Sequence, residues 1–256
     1  MIKRKIKIII IYLINLIIKK IKIFPDQISK KHKIKFKNEE IYFVPKNDIT
    51  YRRWKEFERT GKEKNTIEWI ETFERNSVFF DIGANVGVFS IFAALKKEAK
   101  VYAFEPEPNS FVELFNAIQV NNVDVTAMII PLEEKANCNF FNLKAKFEAG
   151  KSGHIFGDKQ LGKLNYGICS ESIDNLVLNK KIPEPNYIKI DVDGLEEKIM
   201  NGLDKLIKGN VLRSILIEFM HEEQNKSCTK YLENNNFFLT QGPTGDNRNY
   251  IFSRKK

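Results

Sequence analysis

The chain has 256 residues, 43% hydrophobic and 29% charged, a size and mix that suit one globular α/β domain with an extension and exclude a disordered or fibrous chain. Forty-two Lys and Arg against 33 Asp and Glu give a formal +9, which brings phosphates and anionic lipid into consideration as partners. Residues 1 to 37 hold twelve basic side chains and one acid, Asp26, so +11 sits in that stretch and the rest of the chain carries −2. The globular part is therefore not basic. Cys138, Cys169 and Cys228 are odd in number and lack CxxC spacing, which argues against a disulfide framework or a structural zinc site and fits a reducing, cytosolic compartment.

The first segment, MIKRKIKIIIIYLINLIIKKIKIF, is apolar from Ile8 to Ile18 except for Asn15, with Lys3, Arg4, Lys5 and Lys7 before it and Lys19, Lys20 and Lys22 after it. It is shorter than the roughly 20 apolar residues of a membrane span, and Phe24-Pro25-Asp26 stands where a signal peptide would carry small residues. Two readings stay open for residues 1–26. One is an interfacial helix with snorkelling lysines, peripheral at the inner face of the cell membrane; the other is a helix covering an apolar face of the domain or of a partner. Residues 27–76 are expected to form a cap segment. There Ile41 to Val44 reads as a strand, and Thr66 as the N-cap of a helix carrying Ile67, Ile70 and Phe73. Tyr51, Arg52, Arg53 and Trp54 read as loop residues packed on the main domain in preference to a ligand patch.

From Ser77 onward strands alternate with helices. The expected order is strand Val78–Ile82, helix Val88–Lys96, strand Val101–Phe104, a helix marked by Phe111, Leu114, Phe115 and Ile118, and strand Thr126–Leu132. After an irregular stretch come strand Tyr187–Asp191, helix Leu195–Ile207 and strand Ser214–Glu218, then an antiparallel pair, Phe237–Thr240 with Asn249–Phe252. Such alternation predicts a mostly parallel sheet with helices on both faces, and a ligand bound beyond the carboxyl ends of its strands.

Asp81-Ile82-Gly83-Ala84-Asn85-Val86-Gly87 falls where the first of these strands turns into its helix. Gly83 and Gly87 allow a tight turn and close approach of a ligand, and free amides at the helix start favour a carboxylate or phosphate. Asn85 replaces the middle glycine of the dinucleotide fingerprint. Asp81 at the strand tip would repel a pyrophosphate and attract the ammonium of an amino-acid-like ligand. Glu105, ending the next strand, is placed to accept hydrogen bonds from both hydroxyls of a ribose. Together the loop and the acid point to a nucleoside ligand.

VFFDIGANVGVFSIFAA (Val78–Ala94), VYAFEPEP (Val101–Pro108) and YIKIDVDGLEEKIMNG (Tyr187–Gly202) resemble the FkbM family of S-adenosylmethionine-dependent methyltransferases, with SILIEF (Ser214–Phe219) in the place of its fifth strand. The likeness runs over about residues 77 to 252. It implies a class I, Rossmann-like methyltransferase domain over residues 77–256 and methyl transfer from S-adenosylmethionine, often to a sugar hydroxyl. By position, Asp81, Gly83, Asn85 and Gly87 would hold the methionine end of the cofactor and Glu105 its ribose. The chain departs from the family after the third strand, at Pro131 to Asn137, so that loop gives no adenine contact by analogy. Gly150-Lys151-Ser152-Gly153-His154 looks like a version of the family's Gly/Ser-rich loop.

A hydroxyl acceptor must be aligned and deprotonated. Asp191, in Asp191-Val192-Asp193-Gly194, is the first candidate for base or orienting group, with Glu218 and His221 as partners in that work. A second reading has Asp191, Asp193 and Glu218 hold Mg²⁺, although no metal is assigned; Asp193 is expected instead to cap the helix from Leu195. The acceptor expected is a sugar in a surface glycan or a small molecule. Alternatives are a nucleic-acid methyltransferase, for which an Asn-Pro-Pro-Tyr type of motif is missing, and a membrane-tethered S-adenosylmethionine-binding protein without catalysis. A nicotinamide oxidoreductase would share the βαβ unit but fits Asp81 and Asn85 poorly.

Overall fold

The computed structural model describes residues 29–60, 63–143, 148–151, 153–161, 163–179, 181–243 and 248–255, so the arm expected over 1–26 lies outside it. No helix among the described residues is long and apolar enough to cross a membrane. A hairpin comes first, β1 (His32–Phe36) and β2 (Glu39–Phe43), turned by Lys37 and Asn38 at positive φ, the backbone that matches strand twist in a two-residue loop. Helices Asp48–Thr60 and Lys64–Glu71 follow. Trp54 of the first stacks on Phe43 at 5.3 Å, and Phe57 packs edge-on against Phe92 of helix Val88–Lys97. Ile34, Ile41, Phe43, Trp54, Phe57, Ile67, Ile70 and Phe73 thus share one apolar core with the sheet domain. Tyr51 to Trp54, expected in a loop, lie on a helix with Trp54 inward and buried. Thr66 is not an N-cap: Glu63 holds that position, and Thr66 sits buried within the helix, donating to Glu63 Oε2.

Beyond the hairpin the strands are β3 (Val78–Ile82), β4 (Lys100–Phe104), β5 (Val125–Met128), an insertion of β6 (Asn137–Asn142), β7 (Ile155–Gly157) and β8 (Asn165–Ser170), then β9 (Tyr187–Ile190), β10 (Ser214–Glu218), β11 (Phe237–Gln241) and β12 (Asn249–Arg254). The main sheet runs β11-β12-β10-β9-β3-β4-β5, with β12 antiparallel to both neighbours and the pairs from β10 to β5 parallel. Its central strands read VFFDI, YIKI and SILI because both faces are covered. Phe79 enters the core under helices Val88–Lys97 and Pro108–Asn121, while Phe80 and Ile82 enter the opposite one with Ile199, Leu206 and Leu232. The fold is the expected Rossmann-like one, including its C-terminal antiparallel pair.

Several boundaries differ for physical reasons. Strand β5 stops at Met128, short of Leu132. The helix expected over Leu195–Ile207 divides into Glu196–Asn201 and Asp204–Lys208 around Gly202, where a Cβ would meet Glu133 O at 2.3 Å. Asp193 does not cap it: Leu195 is the N-cap, with no side-chain hydrogen bond, and Asp193 Oδ2 accepts the Gly153 N–H at 2.5 Å. The stretch expected to be irregular contains the sheet β7-β6-β8, in which Cys138 and Cys169 face each other and form a disulfide. That pairing overturns the expectation that the cysteines form no disulfide framework and removes their support for a reducing compartment. A separation of 31 residues hides in sequence what strand register makes adjacent.

Candidate active site

β3 and β9 are neighbours, yet the chain leaves them in opposite directions, toward β4 and β5 on one side and toward β10 on the other. Such a switch point opens a crevice at the carboxyl ends of the strands. A cavity of about 610 Å³ lies there, lined among others by Gly83, Asn85, Glu105, Asp191 and Glu218, with a side lobe of about 80 Å³ over Gly83 to Val86. The volume suits a nucleoside-sized ligand with room for an acceptor.

Gly83 is at φ +81, and a Cβ on it would stand 1.9 Å from Asp191 O. The turn and the β9 loop are thus packed backbone to backbone, with the Asp191 N–H donating to Ile82 O at 3.1 Å. Asn85 takes the left-handed conformation that asparagine tolerates; its Nδ2 donates to Lys151 O. Gly87 does not line the cavity; it starts helix Val88–Lys97 at φ +87, with a virtual Cβ 2.5 Å from Leu114 Cδ1. The amides of the turn itself are engaged, while the helix start expected to offer free amides begins at Val88, which lines the side lobe with Phe89. Gly83 and Ala84 donate to Phe104 O, Asn85 to Glu105 Oε2, Val86 to Asn85 Oδ1 and Gly87 to Ala84 O.

Glu105 is buried at the tip of β4 and lines the cavity, held by the Asn85 and Glu107 N–H groups at 2.8 Å each. Burial pushes its carboxyl up to about 7 against those two hydrogen bonds. Asp81 is fully buried beneath the loop, accepts the Ser90 hydroxyl at 2.5 Å and does not line either space. Burial raises its pKa while Lys189 opposes the rise. Direct attraction of a ligand ammonium by Asp81 is therefore not what the geometry offers.

Lys189 is buried inside β9 with its Nζ 2.7 Å from Asp191. Burial works against its charge, but Asp191, Asp81 and Glu63 override that and hold the ammonium above its ordinary value. For Asp191, burial favours the neutral form and Lys189 outweighs it, so the carboxylate is held below its usual range. Glu218, one strand over at the tip of β10, is pushed up to about 7, by burial first and by the Asp191 charge second. The environment thus biases the two carboxyls apart, Asp191 toward the ionised form and Glu218 toward the neutral one.

His221 is exposed at the N-cap of helix Glu222–Asn234 and does not reach the cavity. His154 does reach it. Its ring packs on Phe141 at 5.6 Å, both nitrogens are buried without a hydrogen-bond partner among the described residues, and burial lowers its pKa. Phe141 and Phe156, opposite one another in β6 and β7, form an apolar wall with Pro106, Ile130 and Leu132. Arg53 and Glu63 come from the N-terminal helices. With Asp193 turned to Gly153, the proposed Mg²⁺ triad is not assembled, and no three metal-ligating side chains converge among the described residues.

The fold, with the Gly83 turn, Glu105 and the paired carboxyls at its switch point, defines a Rossmann-like methyltransferase. The Methyltransferase FkbM domain model matches residues 81–246, and the chain belongs to that family. A hexuronic acid methyltransferase of Haloferax volcanii is 25% identical over 179 residues, covering 70% of this chain and 71% of that protein. The crystal structure of methyltransferase FkbM from Methylobacillus flagellatus shares the fold at a TM-score of 0.52 and 15% identity, over 71% of this chain and 44% of the longer one.

Proposed function

We propose that the cavity binds S-adenosylmethionine and that the enzyme methylates a hydroxyl of a sugar, with a uronic acid as the first acceptor to test. The residues present fit that cofactor: Gly83 leaves no room for a side chain beside the β9 loop, Glu105 offers carboxylate oxygens at a ribose position, and Phe141, Phe156 and Leu132 provide an apolar slot for a base. The bound cofactor would supply an electrophilic methyl on a sulfonium. The Asp191 carboxylate, kept ionised by Lys189, accepts the acceptor's hydroxyl hydrogen bond and fixes its direction. Glu218, with a pKa of about 7, takes up the hydroxyl proton as general base. Asn85 holds Lys151 and Asp193 holds Gly153 across the cleft, which helps keep water out.

The observation that carries this reading is the Asp191–Glu218 pair at the tips of β9 and β10, facing the Gly83 turn in one cavity. The Haloferax relative's name, a hexuronic acid methyltransferase, supports a sugar acceptor. Calorimetry with S-adenosylhomocysteine and NAD tests the cofactor, and transfer of labelled methyl to a uronic-acid glycan tests the acceptor. Binding of NAD alone would sink the proposal. Residues 1–24 are proposed as an arm for anionic membrane; equal sedimentation with anionic vesicles with and without them would refute that role.

A further inference from the structure

The turn after β3 raises a charge question that its own backbone does not answer. A cofactor with an amino-acid tail brings a carboxylate to this turn, but the N–H groups of residues 83–87 are all engaged within the protein. The turn supplies no free donor, the helix start at Val88 offers backbone amides only, and a charged donor must come from elsewhere. Among the cations lining the cavity, Lys189 is tied to Asp191, Lys151 is paired with Glu148 at 2.9 Å, and Lys64 with Glu68 at 3.5 Å. Arg53 is different. Its Nε donates to Gly150 O at 2.6 Å, which fixes the guanidinium plane, while its terminal nitrogens make no hydrogen bond or close ion pair among the described residues and its charge acts on Asp191 only across the cavity, as the weakest of that carboxylate's influences. It lines both the main cavity and the side lobe over Gly83 to Val86.

We propose that Arg53 receives the α-carboxylate of the bound cofactor, resting on the reading of this cavity as an S-adenosylmethionine site. A guanidinium held at one edge and open at the other is shaped for a planar carboxylate. Gly150, which accepts the fixing bond, is itself held by its N–H to Ser110 Oγ at 3.0 Å, and a Cβ there would meet Thr50 Cγ2 at 2.9 Å. Helix Asp48–Thr60, which precedes the family-matched residues 81–246, is on this account part of the cofactor site. It supplies the charge that the glycine turn lacks.

The test uses the full chain and two ligands, S-adenosylhomocysteine and S-adenosyl-3-thiopropylamine, which differ in the carboxylate alone. Calorimetry should show Arg53→Gln weakening S-adenosylhomocysteine about tenfold or more while the amine analogue changes about twofold or less. Arg53→Lys should recover part of the loss, since it keeps the charge without the fork. Equal losses for both ligands would mark Arg53 as a packing residue and overturn the proposal, as would no loss for either. A loss confined to turnover of a uronic acid against a neutral glycoside would assign the guanidinium to the acceptor and also overturn it. Wild-type protein that binds neither adenosyl ligand would instead sink the cofactor reading itself.

Discussion

Lys189 and Asp81 are direct partners in the β9–β3 ladder, and the Lys189 ammonium reaches Asp191 on the same face of β9 at 2.7 Å. Alternate residues of a strand share a face, so IKID places the lysine and the aspartate together and register adds the second acid. A buried cation that balances two acids cannot be removed without leaving charge behind. Lys189→Met should lower unfolding free energy by about 3 kcal/mol, the low end for a broken buried pair because Asp191 is partly open to the cavity. Urea denaturation measures it. A loss under about 1 kcal/mol would show that the acids are neutral without the lysine.

Glu218 is expected to govern the pH dependence of methyl transfer. Its carboxyl sits at about 7, so the base form grows as pH rises through that value, and kcat/KM should climb on the acid side and level off above pH 8. Glu218→Gln should lower kcat by about 10²-fold or more, the scale of general base catalysis, and remove the limb. A limb that survives in the variant would transfer the titration to another group.

Gly83→Ala should abolish S-adenosylhomocysteine binding and lower the melting temperature, because the added Cβ would lie 1.9 Å from the Asp191 carbonyl oxygen, a backbone atom with no rotamer to escape into. Gly87→Ala makes a useful contrast. Its Cβ would meet the end of the Leu114 side chain, which can rotate, although φ of +87° still penalises alanine. Calorimetry on the two variants should therefore show binding retained only in the second.

The central strands, the Gly83 turn, Glu105 and the Asp191–Glu218 pair were legible in the sequence because each depends on short-range order: an apolar run, a turn residue, an acid at a strand end. What was illegible depends on distance. β6 and β8 read NCNFFN and NYGICS, with no alternation to mark them, and they form by pairing across 31 residues at Cys138 and Cys169. Arg53 sits on a helix whose Trp54 and Phe57 face the core, so the packing reading holds for Trp54 and hides the place of Arg53 at the cavity. Lys189 carries a signal of its own in the sequence, a lysine inside a fully buried strand. His221 looked close to Glu218 by number, but the chain turns into helix Glu222–Asn234 there and carries it to solvent.

The Cys138–Cys169 disulfide closes a long loop whose strands also carry the Phe141 and Phe156 wall of the cavity. Reduction should lower the melting temperature by several degrees, consistent with about 2–4 kcal/mol for closure of such a loop. Thiol titration of unfolded protein should find one group without reductant, the buried Cys228, and three after reduction. Three thiols in protein purified without reductant would contradict the pairing.

Stability of the protein without ligands should fall as pH rises from about 6.5 to about 8. Glu105, Glu113 and Glu218 each titrate at about 7 in the folded chain, raised first by burial. Unfolded, each would titrate near its ordinary value of 4.5, so across this window the folded state binds more protons than the unfolded one. Unfolding free energy therefore decreases with pH, and the stabilisation present at the acid end is lost through pH 7. His154 acts in the other direction, since burial lowers its pKa from 6.5, but its window lies at and below that value and leaves the range above it to the carboxyls. Asp191 is depressed and Lys189 raised, which puts their transitions outside the window. Thermal melts at constant ionic strength measure the slope, and it should be shallower in Glu113→Gln, a variant that does not line the cavity. A melting temperature that rises from pH 6.5 to 8 would mean these carboxyls are already ionised in the folded protein.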